Sequence, residues 1–442
     1  MIKFTLFFLS LSLLIILHEF GHYITARIFK ARVNKFYLFF DFLFPFSNIL
    51  KFSIFKKKIG DTEYGLGWFP FGGYVDIHGM AAEENTDPNV KPEPDEFRGK
   101  KPWQRMIILA GGIIVNFLLA IIIYSMMAWA WGEDYLPAKN AKYGIYCDTL
   151  ALNIGLHNGD KILSLDNKPV DDLHKAAIAI ILDRPKTIQV DRNGEKKEIQ
   201  IPAGTDLKVV DKEVRTLFDA GYPFFVDSVV AGSGAALAGL KKGDQVIALE
   251  KDSILFYQQY YTLSQFYKSK KVNVGILRDG QRQSLDVQMD ADGKVGVYSV
   301  PPDKFLEFSH KDFGFFSAWG RGFTRTFEIL GSYVKQLRLL FTKTGASKVG
   351  GFAGIAKMYP ETWDWAAFWG ITAFISVILA FMNLLPIPVL DGGYMLFTLW
   401  EMVTGKKVSD KFMQRALTIG MYMVLALLIF ANGNDIVRAF RK

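Results

Sequence analysis

The sequence predicts a multi-domain integral membrane protein with four transmembrane α-helices and, outside the membrane, a small α/β unit that occurs twice. Three observations lead to this fold class. Half of the 442 residues are hydrophobic while 22% are charged, which suits a few membrane helices joined to soluble domains. Four apolar runs are close to the ~20 residues that cross a bilayer. Two stretches between the second and third runs share one residue pattern.

The four transmembrane helices are predicted over residues 1–29, 106–132, 366–391 and 412–431. A signal peptide is the alternative for the first run, but a small-residue cleavage site is missing and the apolar run is too long. Basic residues concentrate in the segment 30–105 and between the third and fourth helices, which predicts that both face the cytoplasm. The segment 133–365 then lies outside. The basic tail also falls outside, against this rule.

The overall composition narrows the function classes. The net charge of +8 suits loops near anionic lipid headgroups. A nucleic-acid partner is not expected, because the basic residues do not gather on one aromatic-rich domain. The single cysteine, Cys147, excludes an internal disulfide framework and a cysteine-based zinc finger.

The outer segment contains the repeat "GLHNGDKILSLD" (155–166) and "GLKKGDQVIALE" (239–250). Each copy continues into a helix-like stretch and then a hairpin, with turns predicted at Asn193-Gly194 and Asp279-Gly280. The two units are predicted over 141–215 and 216–300. Their order of elements resembles a circularly permuted PDZ domain, a module that binds extended peptides by strand addition. The alternative is that they are spacers or plugs.

The first transmembrane helix carries "HEFGH", with His18, Glu19 and His22. Histidines four residues apart lie on one face of a helix and can bind the same zinc ion. The glutamate beside them can act as a general base. A chance match, or histidines satisfied by hydrogen bonds, is the alternative. A lipid-spanning location favours function, because intramembrane ionisable groups are costly.

A third metal ligand is predicted at Asp391 in "NLLPIPVLDGGYML" (383–396). The first and third helices both run from outside to inside, so Asp391 reaches the depth of His18 and His22. The alternative is a turn residue before Gly392-Gly393.

HEFGH in the first membrane helix, LDG after a late one and PDZ-like domains between them resemble the site-2 protease family. The arrangement is most similar to the bacterial branch of regulator-of-sigma-E proteases. The resemblance implies that His18, His22 and Asp391 bind Zn²⁺ and that Glu19 is the catalytic base. It also implies hydrolysis of peptide bonds inside single-pass membrane proteins, such as anti-sigma factors and remnant signal peptides, after a site-1 protease has trimmed them. The expected location is the bacterial inner membrane, with the PDZ-like domains in the periplasm.

Further stretches carry the same resemblance. "GLGWFPFGGYVDIHGM" (65–80), within the cytoplasmic region 30–105, resembles a re-entrant β-loop of the family. Such backbone is tolerated at membrane depth only where protein or water covers it. Substrate-binding residues are therefore expected at Gly72, Gly73 and Tyr74, and by resemblance at Asn383 and Pro386. The alternatives are an interfacial loop for 65–80 and a helix end for Asn383-Pro386.

Two departures from the family pattern stand out. Gly112 occupies a position in the second helix where the family often has proline, although Asn116 remains, and "VGGFAGIAKMYP" (349–360) lacks the proline of the matching run. Both are expected to affect substrate access and helix packing and to leave the zinc site untouched. The segment 313–345 is predicted to be an amphipathic helix, either on the outer membrane surface or packed on the second PDZ-like domain.

Two other functions stay open at this point. A membrane scaffold with a vestigial zinc site would not need Glu19. A metal transporter would show repeated spans and several polar groups at mid-membrane, and the sequence has neither.

Overall fold

The computed structural model describes residues 2–43, 49–70, 72–80, 92–211, 216–342, 345–346 and 349–440. Position 71 of the predicted β-loop and positions 343–344 of the predicted amphipathic helix lie outside the described residues. The chain forms two compact units. The helical unit comprises Met1–Gly132 and Asp312–Lys442, and the repeat unit comprises Glu133–Lys311.

Twelve helices are formed by the described residues. In chain order they are α1 (Ile2–Ile28), α2 (Pro102–Trp131), α3 (Thr149–Asn153), α4 (Leu173–Leu182), α5 (Thr205–Asp211), α6 (Gly234–Leu237), α7 (Tyr257–Ser264), α8 (Phe315–Leu340), α9 (Phe352–Ala356), α10 (Trp365–Leu384), α11 (Asp391–Thr404) and α12 (Asp410–Phe440).

The strands are short and fall in both units. They are β1 (Val33–Leu38), β2 (Ser53–Ile59), β3 (Thr62–Gly67), β4 (Tyr74–Ile77), β5 (Glu133–Tyr135), β6 (Ile145–Cys147), β7 (Lys161–Leu165), β8 (Lys168–Pro169), β9 (Thr187–Arg192), β10 (Glu195–Gln200), β11 (Phe218–Ala220), β12 (Val226–Val229), β13 (Gln245–Leu249), β14 (Asp252–Ser253), β15 (Lys271–Arg278), β16 (Gln281–Gln288), β17 (Val297–Ser299) and β18 (Ser309–Lys311).

In the described chain, four helices are long and apolar enough to cross a membrane: α1, α2, α10 and α12. They correspond to the four predicted spans. The third is shorter than the predicted 366–391, because α10 ends at Leu384, before Pro386 and Pro388. Proline lacks the N–H that a helix needs and clashes with the preceding turn. Asp391 therefore begins a separate helix, α11.

α1 and α2 cross at a pair of glycines. A Cβ atom on Gly21 would lie 2.3 Å from the Gly111 carbonyl oxygen, and one on Gly111 would lie 2.4 Å from the Gly21 carbonyl oxygen. Only glycine permits backbones to approach this closely, as at other small-residue crossings of membrane helices. This crossing brings α2 against the HEFGH face of α1.

The amphipathic helix α8 packs lengthwise along α2. Phe315 contacts Trp129, and Phe327 stacks on Phe117. Between them Gly322 closely approaches the backbone of α2 at Ser125. α8 therefore lies beside a membrane-spanning helix. Its predicted position on the outer membrane surface, and the alternative on the second repeat, stay predictions.

The helical unit also holds a four-stranded sheet in the order β2-β3-β1-β4. β1 pairs with β3 in parallel and with β4 in antiparallel orientation. Among the described strands β4 pairs with β1 alone, so β4 forms an edge of this sheet. The edge lies against α1, since a Cβ atom on Gly73, just before β4, would approach Ile15 to 2.8 Å.

The repeat unit contains nearly the same series of elements twice, although α5 of repeat 1 has no counterpart among the described residues of repeat 2. Repeat 1 runs from β6 to β11 and repeat 2 from β12 to β17, and in each the first strand pairs with the last. Repeat 1 therefore extends to Ala220, beyond the predicted boundary at 215. The hairpins β9–β10 and β15–β16 turn at the predicted dipeptides, whose residues all have positive φ angles. Each repeat has its own apolar core.

Candidate metal centre

His18 and His22 lie one turn apart on the buried face of α1. Their side chains are 11% and 8% exposed. The two Nε2 atoms are 3.3 Å apart, and the planes of the rings meet at 82°. The four-residue spacing thus places both imidazoles where their Nε2 atoms converge, as the sequence predicts.

Asp391 reaches the two histidines through the break between α10 and α11. A Cβ atom on Gly392 would lie 2.4 Å from the Leu385 carbonyl oxygen, and one on Gly393 would lie 2.5 Å from the Ile387 carbonyl oxygen. The two glycines therefore let the break fold back on the first turn of α11. The LDG sequence is thus the start of α11, with Leu390 as its N-cap, and this helix start presents Asp391 to the histidines.

The break also contains unusual backbone. Val389 has a φ angle of 90°, in a region that β-branched residues rarely occupy. Strained backbone of this kind persists where the surrounding structure holds it, and it is commonest at functional sites. The strain lies two residues before the carboxylate that joins the cluster.

The three ligand atoms form a nearly equilateral triangle. Asp391 Oδ2 lies 3.2 Å from His18 Nε2 and 3.3 Å from His22 Nε2. Tetrahedral zinc with bonds of ~2.0–2.1 Å separates its ligand atoms by ~3.3 Å. Asp391 Oδ2 is also buried without a hydrogen bond of standard geometry in the part of the chain that is described. Two imidazole nitrogens and one carboxylate oxygen at these separations fit a catalytic zinc site, which keeps a fourth position free.

Both histidines are held from α2. His22 Nδ1 lies 2.9 Å from the carbonyl oxygen of Ile108, to which it donates as an N–H. His18 Nδ1 lies 3.1 Å from the amide of Asn116, which is completely buried. Partners on the second ring nitrogen orient a ligating histidine and determine which nitrogen is free for the metal.

Gly112 lies between these two contacts. A Cβ atom there would lie 2.5 Å from His22 Nε2 and 2.6 Å from His18 Cε1. The expectation that the departure at Gly112 leaves the zinc site untouched is wrong, because this position lies against both histidines. The spacing of four residues from Ile108 to Gly112 to Asn116 is the signal that could have placed one face of α2 against HEFGH.

Glu19 lies between the ligands and the sheet edge. The backbone N–H of Val75 in β4 faces its carboxylate. Gly73 is also close, with its Cβ position 3.5 Å from Glu19 Cγ. The carboxylate is thus held beside the metal ligands without itself joining the triangle, as a general base requires.

The five predicted substrate-binding residues fall in different surroundings. Asn383 Nδ2 lies 3.4 Å from His18 Nε2, so this amide borders the cluster, and Gly73 borders Glu19. The side of Gly72 that would carry a Cβ faces the ring of Phe40. Tyr74 stacks on Tyr37 and donates to Asp41. Pro386 lies in the break after α10.

His78 belongs to a separate group of side chains. Its Nε2 atom lies 3.8 Å from Glu96 and 3.9 Å from Glu93, the spacing of ordinary ion pairs. Glu93 is 63% exposed, and carboxylates at the surface often gather without a metal.

Residues 6–427 match the sequence profile of peptidase family M50. The chain belongs to peptidase family M50. This is the site-2 protease family that HEFGH and LDG predict, so that prediction and the prediction of a metalloprotease are confirmed.

Several proteins named as zinc metalloproteases resemble the chain over nearly its whole length. A protein of Neisseria meningitidis is 28% identical, covers 98% of both chains and bears the name "Putative zinc metalloprotease NMA0084". Proteins of Vibrio cholerae (28% identical) and Treponema pallidum (24% identical), each covering 99% of this chain, are also named "Putative zinc metalloprotease". These names agree with the zinc predicted from the donor set.

The M50 site has the parts needed for hydrolysis of a peptide bond. A zinc ion on His18, His22 and Asp391 would supply Lewis-acid chemistry toward a carbonyl and make water a stronger acid. Glu19 is placed to accept a proton beside the ligands and to pass it to a leaving amine. The Val75 N–H keeps the carboxylate in this position.

Proposed function

We propose that this M50 protein hydrolyses peptide bonds within the membrane-spanning segments of single-pass membrane proteins. The observation that carries the proposal is the position of the cluster. His18 and His22 lie well inside α1, an apolar helix long enough to cross a membrane. A bond cut at this site would therefore lie within the bilayer.

A substrate helix must unwind before cleavage, because its carbonyls are engaged in backbone hydrogen bonds. β4 offers a place for the extended form. Its outer edge is unpaired among the described strands, and the Val75 N–H on that edge points to Glu19. An extended segment added to this edge would replace its lost hydrogen bonds and lie beside the catalytic base. Gly73 leaves room for a second backbone here. In this proposal the segment 65–80 acts as a re-entrant β-loop of the family.

Asn383 also supports this placement of the substrate segment. Its amide already lies 3.4 Å from His18 Nε2. When that nitrogen binds a metal, the Asn383 amide is available to bond to a substrate carbonyl or N–H. Pro386 interrupts the helix next to it.

The repeat unit is the proposed filter for substrates. Its two repeats have the element order expected for permuted PDZ domains. Basic residues in the segment 30–105 and after α11 support a cytoplasmic position for those loops and a periplasmic position for the repeats, in a bacterial inner membrane. The repeats would then exclude proteins whose outer domains have not been trimmed by a site-1 protease. Deletion of residues 141–300 is expected to let untrimmed substrates be cut, and continued resistance of those substrates would contradict the filter.

The test of the proposed function is the Glu19→Gln variant. It is compared with wild type on a trimmed single-span reporter in membranes, and the zinc content of both proteins is measured. Loss of the general base is expected to lower cleavage by at least ~10²-fold with zinc still bound, because only the proton transfer is removed.

The matched control is Glu361→Gln, at an exposed glutamate that pairs with Lys3. This variant is expected to cleave as wild type does. Cleavage by Glu19→Gln at the wild-type rate would place the activity elsewhere and favour a membrane scaffold. Mapping of the cut to a residue outside the reporter's membrane span would remove the intramembrane part of the proposal.

A further inference from the structure

The side chain of Asn116 is the structure's least satisfied polar group next to the metal ligands. It is completely buried in α2. Its Nδ2 atom lies 3.1 Å from His18 Nδ1, while its Oδ1 atom is buried without a hydrogen bond among the described residues. A buried amide in this state calls for an explanation, because buried polar atoms usually have a hydrogen-bond partner.

The chemistry of His18 supplies one. His18 directs Nε2 at the cluster, 3.2 Å from Asp391 Oδ2. A metal at that position requires the lone pair on Nε2, so the ring proton must be on Nδ1. His18 Nδ1 is then a donor and needs an acceptor, whereas the amide nitrogen of Asn116 is a second donor.

Rotation of the Asn116 amide by 180° resolves this conflict. The oxygen and nitrogen of an amide have nearly the same shape, so the rotation exchanges them without other movement. Oδ1 then accepts from the Nδ1–H of His18 at the distance now occupied by Nδ2. Of the two orientations, only the rotated one satisfies the metal-binding tautomer.

The two ligands differ in how they are held. His22 Nδ1 donates to a main-chain carbonyl, that of Ile108, which every residue type would provide. His18 depends on a side chain, and Asn116 is the partner found on its Nδ1. Gly112, midway between the two on the same face of α2, leaves space for both rings. One stripe of α2 therefore orients both histidines.

We propose that Asn116 is a positioning residue that accepts the hydrogen bond of His18 Nδ1 and thereby holds His18 in the tautomer that binds the metal. The inference rests on the metal site of the proposed function. It does not depend on which substrate is cut.

The test measures metal binding by the full-length protein in detergent micelles. Zinc affinity is determined by competition with a chromogenic chelator, and the Co²⁺-substituted protein reports ligand geometry through its visible absorption. Asn116→Leu, which is close in size but cannot accept, is expected to lower zinc affinity ~10–100-fold, as loss of an outer-shell partner does. Its Co²⁺ spectrum should also change.

Asn116→Asp keeps an acceptor and is expected to retain zinc affinity and the wild-type Co²⁺ spectrum. If Asn116→Leu fails to fold, the zinc affinity and Co²⁺ spectrum of Asn116→Asp still test the proposal. The structural control is Ser376→Ala, which removes a hydrogen bond to the main-chain oxygen of Asn116 without touching His18. This control should bind zinc as wild type does.

Three results would overturn the proposal. They are wild-type affinity in Asn116→Leu, equal losses in Asn116→Leu and Ser376→Ala, and a loss in Asn116→Asp as large as that in Asn116→Leu. Failure of the wild-type protein to bind zinc would instead contradict the proposed function, so the two failures are distinguishable.

Discussion

Asp391 of the helical unit and two aspartates of the repeat unit are largely shielded from solvent, but they are satisfied in opposite ways. In the repeat unit Asp160 and Asp244 are each 1% exposed, and each receives two hydrogen bonds from one arginine. In the helical unit Asp391 Oδ2 faces two imidazole nitrogens and, among the described residues, has no hydrogen bond of standard geometry.

The arginine pairs are alike in both repeats. Asp160 also accepts from the backbone N–H of His157, and Arg192 also donates to the Gly155 carbonyl. In repeat 2 Lys241 and Gly239 provide the same two contacts to Asp244 and Arg278. A buried carboxylate whose hydrogen bonds are complete holds a fold together, whereas one left without donors beside two histidines is arranged for a metal.

The largest effect is expected when Asp391 is changed to Asn. Loss of a charged ligand should lower zinc affinity by more than ~100-fold, which exceeds the usual loss for an outer-shell partner. Chelator competition and cleavage of the reporter measure it. Asp244→Asn should leave both quantities unchanged, and a loss of zinc there would break the distinction between the two kinds of aspartate.

The next effect is on stability, for which the change at Asp244 is expected to matter more than the change at Asp391. Asp244→Asn should destabilise repeat 2 by about 3 kcal/mol, near the low end for breaking a buried pair, because Arg278 is 20% exposed. Hydrogen exchange of peptides from repeat 2 in the intact protein measures this loss. Asp227→Asn, at a 45% exposed aspartate paired with Lys242, is the control and should cost no more than ~1 kcal/mol. A similar loss in Asp391→Asn would show that Asp391 is a structural residue as well.

The smallest expected effect is a loss of stability of repeat 2 at low pH. Burial acts to raise the pKa of Asp244, but hydrogen bonds from Arg278 and from the Lys241 backbone outweigh it and hold this pKa below its usual value. The unfolded chain therefore binds more protons than the folded one as pH falls below ~4. Above that pH the ionised Asp244 should contribute a constant amount to the stability of repeat 2. This contribution should be lost as the pH falls through the pKa that Asp244 has in the folded protein.

Hydrogen exchange at pH 3.5 and pH 6, corrected for intrinsic rates, tests this sign. The double variant Asp244→Asn, Arg278→Met should lack this part of the acid dependence. An unchanged dependence in the double variant would assign it to other groups.

Much of the site followed from the spacing of a few residues. The four-residue interval in HEFGH places two imidazoles on one helical face, whatever surrounds that helix. The direction of the first and third helices led to Asp391, because both helices run the same way across the membrane. Hairpin turns at Asn-Gly and Asp-Gly followed from local backbone preference alone.

Other features depended on contacts between distant segments. The sequence pattern of α8 predicts an amphipathic helix but does not say which helix it packs against. Its packing along α2 depends on Gly322 and on aromatic rings from another helix. The roles of Gly112 and Asn116 arise from a crossing that two glycines permit, and neither residue is unusual in its own helix.

The sequence by itself determined the apolar helices, the repeat and the choice of candidate metal ligands, since these depend on local period, apolar length and donor chemistry. Only the tertiary structure decided how the ligands are oriented, where the sheet edge lies and which helix supports α1. These depend on the distance between side chains far apart in the chain, and that distance is set when helices pack closely around their glycines.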